Sequence, residues 1–165
     1  MKKTAILGFG NPVRSDDGVG CLVIEELQKR LGDQAVDISL IDMGTSAFEV
    51  LFQLKGYERI IFVDGVMNSG EPDGTLYRLP ASAVEAAVQD DPMVFLHSLK
   101  WDQALSYAKK ILGQEYPEDI SVYLIAITNI RIELGISDVV QEAGMKVTDL
   151  ILEELGIVPH PLITV

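Results

Sequence analysis

Cysteine is nearly absent from this chain. Its 165 residues hold one, Cys21, so no internal disulfide can form and a small fold stapled by covalent bridges is excluded. Basic residues are also scarce. Thirteen Lys and Arg stand against 25 Asp and Glu, giving a net charge of −12. Nucleic-acid binding rests on cations that neutralise phosphates, so this balance argues against such a partner and against docking on an anionic membrane. Long apolar runs are missing as well; no segment approaches the ~20 consecutive apolar residues of a bilayer span. The opening MKKTAILGFG starts as a secretory leader would, but glycines break the apolar run, and proline and charges follow. The expectation is a soluble, cytoplasmic protein with no nucleic-acid or membrane partner, and a monomer.

Apolar residues make up 48% of the chain and charged ones 23%, a globular composition, and 165 residues suit one domain spanning 1–165. Apolar runs alternate with helical patterns. TAILGF (4–9), VDISLIDM (36–43), RIIFVD (59–64), TLYRLP (75–80) and ISVYLIAI (120–127) read as strands. Residues 17–31, 98–113 and 137–156 read as helices, with Gly113 closing the second. TSAFEVLFQLKG (45–56) carries a capping-box pattern, Thr45 or Ser46 followed by Glu49. NSGEPDG (68–74) is a turn cluster. Strands that are apolar throughout, alternating with helices, imply an α/β three-layer sandwich: a mainly parallel sheet with helices on both faces.

Such sheets bind ligands at the carboxyl ends of their strands. The polar residues leaving those ends are Asp16 and Asp17 after the first strand, Asp42 after the second and Asp64 after the third; His97 precedes a helix. Carboxylates with one imidazole suit a borderline divalent metal, whereas carboxylates alone point to magnesium or calcium. Each residue also has a plainer reading. One acid of the pair caps the helix that follows, which leaves the other unexplained. Asp64 anchors the Gly65 turn, Asp42 bonds backbone amides, and His97 caps its helix or sits in the loop without a special role. His160 is a solvated tail residue, Cys21 packs on the apolar stripe of the first helix, and Trp101 and Tyr107 default to core packing. GFGNPV is not a dinucleotide fingerprint. Val13 stands where that motif needs its third glycine, and two acids at the helix start would repel a pyrophosphate.

GFGNPVRSDDGVG (8–20) resembles the N-terminal signature of the hydrogenase maturation proteases: Gly-x-Gly-Asn, a short loop, an acidic pair, then Gly-x-Gly. IDMGTSAFEVL, IIFVDGV, FLHSLKWDQAL and IELGIS follow in the order in which that family carries similar segments. Asp17 stands where relatives often have glutamate, Met43 replaces one glycine, and the family's late proline is absent. The resemblance implies a five-stranded twisted sheet of the phosphorylase/hydrolase-like kind and an aspartyl-type endopeptidase. It implies that Asp17, Asp64 and His97 both contact the metal and carry the catalysis. The metal would be nickel carried by the substrate, or another divalent ion in its place. That substrate would be the large-subunit precursor of a nickel–iron hydrogenase, cut at its C-terminal extension. Asn11 orients the loop or polarises the scissile carbonyl. Two other functions stand beside it: a non-catalytic chaperone that binds nickel and precursor through the same ligands, and a nucleotide-dependent α/β enzyme that would use Gly8 and Gly10.

Overall fold

A computed structural model of the chain describes residues 2–32, 36–47, 49–85, 96 and 101–157. The first strand, β1, is Thr4–Phe9; a 3-10 turn at Ser15–Gly18 leads into α1, Val19–Leu31. Then come β2 (Ile38–Gly44), α2 (Val50–Leu54), β3 (Arg59–Val66), β4 (Leu76–Pro80) and α3 (Ala81–Glu85). After these come α4 (Asp102–Leu112), β5 (Asp119–Ala126) and α5 (Asp138–Glu154). The five strands form one sheet in the order β2-β1-β3-β5-β4. Four are parallel, with Thr4 opposite both Ile38 and Arg59, and Arg59 opposite Asp119. The edge strand β4 runs antiparallel to β5. The expected α/β sandwich is therefore the fold observed.

Two buried clusters, one on each face of the sheet, hold it together. The period of two along β1 sends Ala5, Leu7 and Phe9 to one face and Ile6 to the other. On the first face these residues join Phe62 and Leu124 beneath Val50, Leu54, Trp101 and Leu105 of the α2–α4 layer. On the second, Ile6, Ile61, Val63 and Ile125 pack under Val23 and Leu27 of α1 and Val147 and Ile151 of α5. The helical stripe of α1 explains that layer, since Val19, Val23, Leu27 and Leu31 recur on one side and are all buried. Truncating a central ring such as Phe62, fully buried between layers, costs about 3–5 kcal/mol.

Three sequence expectations need correction. The capping box does not form: the helix starts only at Val50, with Glu49 as N-cap and no side-chain cap bond, because β2 runs on to Gly44 and a turn bonds Ser46 N–H to Met43 O. Neither Asp16 nor Asp17 caps the helix that follows them, since α1 begins after Gly18 without a side-chain cap. Tyr107 is exposed on α4 and takes no part in the core. The short helix α3 was not anticipated. His97 and His160 lie outside the described residues.

Candidate active site

The chain leaves β1 for β2 on one side and returns to β3 on the other. The crevice above the carboxyl ends of β1 and β3 is thus the switch point at which parallel sheets take ligands. A cleft of about 410 Å³ opens there, with Gly10, Arg14, Asp17, Gly44, Asp64 and Trp101 among its walls. Two of the acids singled out in the sequence, Asp17 and Asp64, face this cleft together.

The loop that delivers Asp17 is built on close backbone contact. A Cβ on Gly20 would lie 2.2 Å from Phe9 O, so only glycine lets α1 start against β1. Gly10, at φ +138°, has no room either, since its Cβ would fall 1.9 Å from Asp17 O. Asn11 ties the loop: its side-chain oxygen accepts from Val13 N–H at 3.1 Å, and its own N–H donates to Asp17 Oδ2 at 3.0 Å. Orienting the loop is therefore a role Asn11 fills. Asp17 Oδ1 has no hydrogen-bond partner among the described residues.

Asp64 is nearly buried. Its Oδ1 accepts from Gly65 N–H at 2.8 Å, the turn-anchoring bond expected from the sequence. Its Oδ2 accepts from the Trp101 indole N–H at 2.9 Å. Trp101 in turn stacks on Phe62 at 4.5 Å and 5° and on Phe9 at 5.4 Å. The core thus fixes the indole, and the indole fixes the carboxylate. Core packing is the default the sequence gives for Trp101, with a substrate-binding surface the lesser reading, and a lone tryptophan 37 positions from the acid gives no local sign of this bond.

The remaining candidates point elsewhere. Asp16, 1% exposed, accepts from Ser137 N–H at 2.8 Å and from Ser137 Oγ–H at 2.9 Å. It thereby holds the N-cap residue of α5, not α1. Asp42 accepts from Gly44 N–H at 2.9 Å and from the Cys21 thiol at 3.4 Å, the backbone-bonding role favoured for it. Cys21 is buried, and burial followed by Asp42 pushes its thiol up to about 12, so it is no nucleophile. Among the described residues no three His, Cys, Asp or Glu side chains gather closely enough to hold a metal ion. His97, the third expected ligand, is outside them.

An acid-lined cleft at the switch point of a five-stranded α/β sheet defines an enzyme-type site. Residues 21–154 match the family model HycI, described as hydrogenase maturation protease. The chain belongs to the hydrogenase maturation protease family and is an endopeptidase of hydrogenase maturation. It is 27% identical over 161 residues to the coenzyme F420 hydrogenase subunit delta of Methanothermobacter thermautotrophicus, covering 92% of this chain and 94% of that one. A hydrogenase 2 maturation peptidase from Thaumarchaeota archaeon SCGC_AB-539-E09 superposes with TM-score 0.68 at 28% identity, over 95% of this chain and all of the other. The maturating endopeptidase HybD of Escherichia coli superposes with TM-score 0.77 over 93% and 92%; at 22% identity that match shows the fold.

Proposed function

We propose that this endopeptidase recognises nickel carried by a nickel–iron hydrogenase large-subunit precursor and removes the precursor's C-terminal extension. Asp17, Asp64 and His97 meet the nickel and act at the bond to be cut. One observation carries the reading: Asp17 and Asp64, on separate crossovers, line the same cleft. Two carboxylates alone suit magnesium or calcium, and the imidazole of His97 turns the donor set toward nickel or a similar divalent ion. His97 stands in the chain just after buried Leu96 and four residues before Trp101, whose indole holds Asp64.

The nickel belongs to the substrate, so the cleft must leave room for the substrate's own ligands, and its volume and open mouth agree with that. Asp64 accepts from the Gly65 N–H and from the Trp101 indole, and these bonds fix the direction of its carboxylate. Asp17 gives one oxygen to Asn11 and keeps the other for the reaction, as a ligand or as the base that takes a proton from the attacking water. That use of a carboxylate is the aspartyl-type chemistry expected from the sequence.

A second reading uses the same ligands without cleavage, with the protein binding nickel and precursor as a chaperone. One experiment separates the two. Purified protein is mixed with nickel-loaded and with nickel-free precursor, and the precursor mass is followed. Loss of the extension from the nickel-loaded form alone is expected, and His97→Ala abolishes it while the unfolding midpoint stays near that of wild type. A lasting complex with an intact precursor would establish the chaperone.

A further inference from the structure

Two loops meet at the mouth of the cleft and carry apolar side chains into solvent. Val13 is 48% exposed, Ile132 78% and Leu134 82%. Scattered apolar residues on a surface need no explanation, but three on two adjoining loops beside an enzyme cleft do. The loops adjoin by several ties. Arg14 and Glu133 form a parallel bridge, and Ser15 N–H donates to Glu133 O at 3.0 Å. Ser15 Oγ–H donates to Arg131 O at 3.1 Å, and Asp16 N–H donates to Asn129 O at 3.2 Å. Arg14 from one loop and Ile130 from the other also line the cleft, so the apolar face and the cleft are continuous.

The loop that carries Val13 is tied down at some cost. Ser15 is buried at φ +52°, a left-handed conformation that a serine adopts only when its surroundings hold it there. The bonds from its N–H and hydroxyl are that hold, and the Asp16–Ser137 pair fastens the same segment to α5. A strained, over-tied loop that presents apolar groups to water is the arrangement expected of a preorganised binding surface, because ordering it in advance removes that cost from association. Arg14 and Arg131 flank the face and make no ion pair among the described residues. In a chain of net charge −12, this sets two arginines against the single exposed acid of the face, Glu133, so the local charge around the apolar groups is less acidic than the chain as a whole.

We infer that Val13, Ile132 and Leu134 form the docking face for an apolar segment of the protein substrate next to the bond that is cut. The inference rests on the endopeptidase reading, in which the ligand of the cleft is a polypeptide that extends past its walls onto the loops carrying Arg14 and Ile130. The face anchors the substrate and takes no part in the chemistry. Its loss therefore weakens binding without slowing the bound complex.

The test uses the full chain and the purified, nickel-loaded large-subunit precursor. Binding is measured by surface immobilisation of the precursor and cleavage by loss of the extension. The Ile132→Ser/Leu134→Ser variant is expected to raise Kd and KM by about tenfold or more and to leave kcat within about twofold. Phe52→Ser serves as control, because Phe52 is 82% exposed on the other helix layer. Unchanged Kd and KM in the double variant overturn the proposal. So does an equal loss in Phe52→Ser, which would mean that any exposed apolar side chain contributes. A wild-type dimer in sedimentation that the double variant dissolves would reassign the face to a second copy of this chain. Wild-type protein that binds the precursor without cutting it, with binding lost in the double variant, ends the endopeptidase reading and with it the placement of the docked segment beside a bond that is cut. Wild-type protein that neither binds nor cuts ends both.

Discussion

Replacing Asp16 and Asp17 one at a time separates two roles that adjacent, identical residues would not be expected to have. Asp16 is buried and both its oxygens accept from Ser137. Asp16→Ala removes two hydrogen bonds to a charged acceptor, each contributing about 1.5–3 kcal/mol, and an acid at the start of α5 contributing about 0.3–1 kcal/mol. Ser137 is exposed, so water takes over part of the loss, and the net cost is about 2–3 kcal/mol. For a chain of this size that lowers the thermal midpoint by roughly 4–12 °C. Asp17→Asn keeps the shape and an oxygen for Asn11 N–H, so stability changes by about 0.5 kcal/mol or less. Processing of the precursor falls about 100-fold or more, the usual contribution of a positioned acid or base. Circular dichroism melts and a cleavage assay well below both midpoints give the two readouts. A fall in midpoint for Asp17→Asn as large as that for Asp16→Ala, or an equal loss of kcat in both, would refute the division.

Other substitutions probe the frame around the site. Trp101→Phe keeps a ring against Phe62 but removes the indole N–H, leaving Asp64 Oδ2 short of a donor; urea unfolding should show a loss of about 1–3 kcal/mol, and no loss would mean that the bond is idle. Gly10→Ala forces a Cβ onto Asp17 O at a φ of +138° and should cost more than about 3 kcal/mol; a variant that melts like wild type would show the loop to be built otherwise. The Cys21 thiol, pushed to about 12 by burial and by Asp42, should resist alkylation at neutral pH in the folded protein and react quickly when unfolded. Because the thiol prefers its proton in the fold, its contribution to stability is present below its ordinary value of 9.0 and is lost as pH rises from there toward about 12; stability flat across that range would contradict the burial.

The sheet was legible because strands buried on both faces leave contiguous apolar runs. TAILGF coincides with β1, and ISVYLIAI is within a residue of β5. Strand ends told where the acids leave the sheet, and the switch-point rule brought Asp17 and Asp64 together. Local patterns failed where the chain had other uses for the same residues. Thr45 and Ser46 look like caps, but β2 consumes the chain to Gly44, Thr45 becomes part of the cleft wall, and the helix starts later. The partners of the acids were illegible for another reason. Asp16 and Ser137 are 121 positions apart, and Asp64 and Trp101 are 37 apart, so no window of sequence contains both members of either pair.

Why two like charges sit side by side follows from the 3-10 turn that carries them. With about three residues per turn, successive side chains leave its axis roughly 120° apart, so neighbours in sequence face different surroundings. Asp16 turns inward to the backbone N–H of Ser137, the N-cap of α5, where a carboxylate is favoured by the helix end. Asp17 turns toward the cleft. The N–H groups that open a helical turn have no partner within it, and here Asp16 N–H reaches Asn129 O and Ser15 N–H reaches Glu133 O. The turn thus fastens the loop after β1 to the segment before α5 through its backbone and through Asp16, and Asp17 leaves that fastened turn toward the cleft. The buried Asp16 fastens the turn from which half-buried Asp17 faces the cleft, which is why the two acids serve different ends from adjacent positions.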